Sequence, residues 1–172
     1  NVVVMPVRFL KEENEINSRS FPFNFETRKK MLESVFGNSI EISTNYSFHA
    51  PFKKYFPPLI SPKSWSLRKQ ILQGIQKDYF TYTGDKAEGI MLKLYRLNPK
   101  IGTRKIISAT NVKNEMYAAS QGTDSQWKKS VPTNVAEIIT ENWKTVKKFA
   151  STEDHTMRIA GMKFPKDGYD SK

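Results

Sequence analysis

The stretch Ile107-Ser108-Ala109-Thr110-Asn111-Val112-Lys113 joins the end of a β-branched run to the start of an amphipathic segment. Spacing predicts a helix over residues 110–120, with Val112, Met116 and Ala119 turned inward. A helix start leaves backbone N–H groups without intrahelical partners and carries the positive end of the helix dipole, so it suits an anion. Ser108, Thr110 and Asn111 stand at that start, and Lys113, one turn in, adds a full positive charge. The same hydroxyls also serve plain N-capping, which requires no ligand.

Upstream, residues 100–107 read as a strand and residues 87–97 as a helix that stops before Pro99. Phe80 to Thr83 reads as a short strand ending in Gly84-Asp85. Glycine there permits close backbone approach and the carboxylate can accept bonds from a ribose or base, although Gly-Asp is equally an ordinary turn. A further helix has Ser64 as its cap, carries Trp65, and sets Leu67, Ile71 and Ile75 on one face. Residues 45–62 are irregular, aromatic and Pro-rich, which marks a loop with something to pack against, a lid or an interface.

Nearer the beginning, Asn24 caps a predicted helix over Phe25–Phe36, with Glu26 in its first turn, an apolar set at Met31, Leu32, Val35 and Phe36, and a stop at Gly37. Residues 11–20 read as a loop, residues 40–44 as a short strand, and residues 2–7 as a β-branched strand buried on both faces, as in parallel sheets. Downstream, Pro132 starts the last helix, whose stripe is Val135, Ile139, Trp143, Val146 and Phe149. Residues 151–172 lack periodicity and read as a tail, which leaves residues 1–150 as one domain. Strands alternating with helices predict an α/β fold with a parallel sheet flanked by helices, and ligands there sit beyond the carboxyl ends of the strands.

Composition narrows the chemistry. The 172 residues contain 28 Lys and Arg against 17 Asp and Glu, a net charge of +11. Basic pairs such as Lys29-Lys30, Lys53-Lys54 and Lys128-Lys129 are dispersed along the chain, which fits either a basic soluble surface or a polyanionic partner, nucleotide phosphates or nucleic acid. The absence of cysteine excludes disulfides and thiolate metal sites, and the two histidines, His49 and His155, stand far apart in sequence without companion ligands, so no metal site is expected. No stretch approaches the roughly 20 apolar residues of a membrane span, and no membrane partner is expected.

Residues 107–113 resemble the I-S-x-T-x-x-R signature of the nucleotidylyltransferase superfamily, which grips the phosphates of ATP. The downstream residues extend the likeness: Met116, Asp124, Gln126-Trp127-Lys128-Lys129-Ser130-Val131-Pro132, then Val135-Ala136-Glu137-Ile138-Ile139. That order is similar to the archaeal-type nicotinamide mononucleotide (NMN) adenylyltransferases. Phe21-Pro22-Phe23-Asn24 with Glu26, Arg28 and Met31 looks like the family's N-P-F-x-x-x-E-R-x-x-M segment, and the likeness covers roughly residues 1–150.

The resemblance implies a Rossmann-like sheet and an enzyme of NAD biosynthesis that moves the adenylyl group of ATP to a mononucleotide acceptor such as NMN, with Mg²⁺ bridging the phosphates. It implies Ser108, Thr110, Asn111 and Lys113 at the triphosphate, Gly84 and Asp85 by the nucleoside, Arg19 and Arg28 near the acceptor or phosphates, and Trp65 near the pyridine nucleotide. Asn17 would share the loop of Arg19. Lys113 stands where the family has arginine, which keeps the charge and loses the bidentate fork. The family's H-x-G-H strand-helix start is absent: neither His49 nor His155 lies in such a motif. The expectation is a processed chain that is inactive alone, its first strand and helix supplied by an upstream segment or a second chain. The alternative is a catalytically degenerate, basic component of a larger assembly. The first places the protein in the cytoplasm, the second in a virion beside packaged nucleic acid.

Overall fold

The computed structural model describes residues 1–103, 108–159 and 161–169. In chain order the elements are β1 (Val3–Val4), β2 (Arg8–Lys11), β3 (Asn14–Glu15), α1 (Phe25–Phe36), β4 (Glu41–Ile42), β5 (Ser47–His49), α2 (Pro62–Ile71), β6 (Thr81–Thr83), α3 (Lys86–Leu94), β7 (Pro99–Ile101), α4 (Ala109–Ser120), α5 (Thr133–Glu141), α6 (Trp143–Ala150), β8 (Thr156–Ile159) and β9 (Met162–Pro165). The fold is mixed α/β. Two compact units interleave along the chain: one takes Asn1–Pro6, Asn17–Ile42 and Ile106–His155, the other Val7–Ile16, Ser43–Lys105 and Thr156–Lys172. No helix among the described residues is long and apolar enough to cross a membrane.

The first unit pairs β1 with β4 in parallel, and β2, β3 and α1 lie between them in the chain. Asn24 caps α1 by accepting from the Thr27 N–H at 2.9 Å, and Gly37 closes it at φ 52°, a conformation that glycine adopts without a Cβ clash. The α1 stripe is shallower than its spacing predicts: Phe25 is buried, whereas Val35 and Phe36 are 41% and 49% exposed. The core of this unit instead gathers Phe23, Met116, Tyr117, Trp127, Ile139, Val146 and Phe149, with the Trp127 and Trp143 rings stacked 5.7 Å apart.

Where the spacing predicts one helix after Pro132, two are found. Asn142 separates α5 from α6, and its side-chain amide donates to the Ile138 carbonyl at 2.9 Å, a local bond that competes with helix continuation. The apolar stripe survives the break, since Ile139, Val146 and Phe149 are all buried.

The second unit holds β3-β2-β5, β6-β7 and β8-β9. Parallel pairing joins β2 to β5 and β6 to β7, the latter through α3; β2-β3 and β8-β9 are antiparallel hairpins. The strand expected over residues 2–7 is interrupted, because Pro6 cannot donate to a ladder, and its β1 part is half-exposed instead of buried on both faces. Buried Phe9 and Leu10 lie just beyond it, on β2 of the second unit.

Residues 45–62, read as an irregular aromatic loop, supply β5 and a 3₁₀ turn at Phe52–Tyr55. The rings of Phe9, Phe48, Phe52, Tyr55 and Phe164 interlock at centroid distances of 5.1–5.9 Å to make this unit's core. Phe164 lies in the segment read as a tail, and residues 156–165 form the β8-β9 hairpin instead. Short strands carry too few alternations to register as a period; pairing across the turn and burial of Phe164 hold them. Helix α2 begins at Pro62 with Ser61 as its cap, three residues before the expected Ser64, because proline is favoured at the first helical position and Ser61 Oγ reaches the Ser64 N–H at 3.1 Å.

Candidate functional site

Ser108 caps α4, its Oγ accepting from the Asn111 N–H at 3.1 Å. Its carbonyl accepts from the Val112 N–H, also at 3.1 Å, which closes the first helical turn. Ala109, Thr110 and Asn111 are exposed, so among the described residues this helix end opens to solvent. Ile107 and the rest of the predicted strand end at 104–107 lie outside the described residues. The free amide ends and the helix dipole make the head of α4 a place of positive potential that an anion can reach.

Lys113 is half-buried one turn further on. Its Nζ donates to the Ser20 carbonyl and lies 5.9 Å from the centroid of the Phe21 ring. The ammonium therefore ties α4 to the loop over residues 17–23.

That loop is built by contacts the sequence does not announce. The Ser20 N–H and Oγ donate to the two Asp154 carboxylate oxygens at 3.1 and 2.7 Å. The Tyr117 hydroxyl donates to the Arg19 carbonyl at 2.7 Å. Burial, against an opposing contribution from the Arg19 guanidinium and with a supporting one from Asp154, pushes the Tyr117 phenol up to about 12.

Arg19, expected near an acceptor or phosphates, places Nη1 at 2.9 Å from the Phe149 carbonyl and 2.6 Å from the Ala150 carbonyl, with its guanidinium 4.5 Å from the Tyr117 ring centroid. It closes the carboxyl end of α6, where the dipole favours a cation. Asn17 donates to the Phe21 carbonyl at 3.1 Å within the same loop. Arg28 is half-buried on α1, with Nε 3.4 Å from the Asn24 carbonyl. Arg19, Ser108, Thr110, Asn111 and Lys113 thus belong to one unit, and Ser20 links Lys113 to Asp154.

Gly84, Asp85 and Trp65 belong to the other unit. Asp85 caps α3, its Oδ1 accepting from the Ala87 and Glu88 N–H groups at 2.8 and 3.1 Å. A Cβ at Gly84 would meet nothing within 4 Å, so the space at that glycine is open. Trp65 is 41% exposed on α2.

Sequence reasoning missed Ser20, Tyr117 and Asp154. Asp154 lies in the segment read as a tail, and a serine-carboxylate pair separated by 134 positions leaves no local signal. No grouping of three or more His, Asp or Glu suited to a metal occurs among the described residues. Comparison with protein-family models, with curated proteins and with solved structures finds no match for this chain.

Proposed function

We propose that this chain is the ATP-binding half of a nucleotidylyltransferase-like domain of Rossmann type. It transfers an adenylyl group to a mononucleotide acceptor such as NMN once an upstream segment or a second chain supplies the histidine-bearing strand and helix. The observation that carries the reading is the open head of α4, capped by Ser108 with Thr110 exposed beside it. The parallel strand-helix-strand crossover β6-α3-β7 accords with such a domain.

In this reading the amides at the start of α4 and the Ser108 and Thr110 hydroxyls hold phosphate oxygens, with Lys113 contributing charge from its seat on Ser20. Mg²⁺ bound with the triphosphate would neutralise phosphate charge, while the Ser108 and Thr110 hydroxyls and the helix amides would hold the nucleotide. Arg19 serves α6.

Isothermal titration of the chain with Mg-ATP, and with NMN afterwards, tests the proposal. ATP is expected to bind, and Ser108→Ala/Thr110→Val to weaken it by at least about tenfold, since hydrogen bonds to charged groups contribute roughly 1.5–3 kcal/mol. Absence of ATP binding, or an unchanged double variant, would refute it. In a longer product carrying the completing segment, pyrophosphate release should depend on both ATP and NMN.

A further inference from the structure

Helix α3 packs against one face of the two-stranded β6-β7 sheet. On the covered face α3 comes so near β7 that a Cβ at Gly89 would sit 2.6 Å from Ile101 Cδ1, and buried Thr83 donates its hydroxyl to Glu88 at 2.6 Å. Side chains alternate along a strand, so Tyr82 points to the other face together with Lys100, its partner in register. Phe80, two residues before Tyr82, lies on that side too, with the Lys100 ammonium 3.9 Å from its ring centroid.

These rings are among the most exposed large side chains of the protein: Phe80 is 53% and Tyr82 69% accessible. Gly102 makes room for one of them, since a Cβ there would fall 1.9 Å from the Tyr82 hydroxyl. The Tyr82 ring therefore lies along the strand backbone at Gly102, with an open aromatic face.

Exposed Lys77, Lys86, Lys93 and Arg96 flank the two strands in sequence, against two exposed acids, Asp78 and Asp85. Asp85 and Glu88 keep their charge while accepting from the α3 amides and the Thr83 hydroxyl, so with Lys100 these positions hold five cations against three acids. The surroundings are thus cationic, in keeping with the net charge of +11.

We infer that Phe80, Tyr82 and Lys100 form a stacking platform for single-stranded nucleic acid, on which two unpaired bases lie against the rings while Lys100 leaves Phe80 for a phosphate. Stacking needs only an aromatic face and accepts any base, whereas a duplex hides its base faces, so the platform selects strandedness over sequence. This inference does not use the head of α4 and stands or falls apart from the ATP reading.

The test is fluorescence anisotropy of a labelled twelve-nucleotide oligothymidylate, and of its duplex with oligoadenylate, titrated with the full chain over a range of salt concentrations. The single strand should bind more tightly than the duplex. Phe80→Ala/Tyr82→Ala should lose affinity by at least about tenfold per ring, and Phe80→Tyr or Tyr82→Phe should restore it, because base-aromatic stacking is sequence-tolerant. Lys100→Ala should reduce the salt slope by about one ion. Equal affinity of the double-alanine variant and the wild type would overturn the inference and leave charge alone as the cause. So would a concentration-dependent dimer in sedimentation that Phe80→Ala/Tyr82→Ala abolishes, which would assign the face to a second copy of this chain.

Discussion

The Arg19 guanidinium stands 2.6 Å from the Ala150 carbonyl, so an arginine from an amino-terminal loop closes the carboxyl end of α6. The same residue's carbonyl accepts from Tyr117 of α4, and its neighbour Ser20 is held by Lys113 and Asp154. The loop over residues 17–23 is therefore fixed by its own Arg19 and by three side chains from distant parts of the sequence, Lys113, Tyr117 and Asp154.

Replacing Arg19 with methionine keeps the length of the side chain and removes these donors. The variant should lose about 2 kcal/mol of stability in urea denaturation, the scale of charge-assisted bonds to carbonyls. It should still bind Mg-ATP when folded. A loss of ATP affinity without a loss of stability would return Arg19 to the ligand.

Tyr117 gives a pH signature. Its folded phenol is raised above the ordinary value of 10.0 to about 12, so the stabilisation it contributes is fully present below pH 10 and is lost as pH rises through about 12. Urea midpoints should fall across that window, and Tyr117→Phe should flatten the fall. At pH 8 the same variant should cost roughly 1 kcal/mol through the lost bond to the Arg19 carbonyl.

Phe164 is fully buried among Phe9, Phe48 and Phe52. Phe164→Ala should cost about 3–5 kcal/mol, the range for deleting a buried aromatic ring. Thermal melting followed by near-ultraviolet circular dichroism reads this directly. A variant melting like wild type would show that the carboxyl-terminal hairpin does not seal the second unit.

Asp85→Ala should destabilise by about 1 kcal/mol by uncapping α3, and Asp85→Asn should restore stability because asparagine caps equally well. Chemical denaturation of the pair separates capping from charge.

The elements legible in the sequence are those whose signals are local. Asn24, Gly37 and Glu26 mark α1, and Ser108 marks α4, because caps act within a turn. The mixed α/β class is visible in the alternating apolar runs. The rest depends on contacts between distant positions. Phe164 joins its core through pairing of β9 with β8, the Asn142 break is a side-chain choice within an unbroken apolar stripe, and β5 is only three residues long. At the site, Ser108 and Lys113 are visible in sequence, but the partner of Lys113 at Ser20 and the role of Asp154 are not.

The central claim is that the exposed head of α4 receives a triphosphate. Amide chemical shifts recorded while Mg-ATP is added to ¹⁵N-labelled protein test it residue by residue. The account predicts saturable shifts concentrated at Ser108, Ala109, Thr110 and Asn111, lost in Ser108→Ala/Thr110→Val. Shifts confined to other residues, or none up to millimolar ATP, would contradict it.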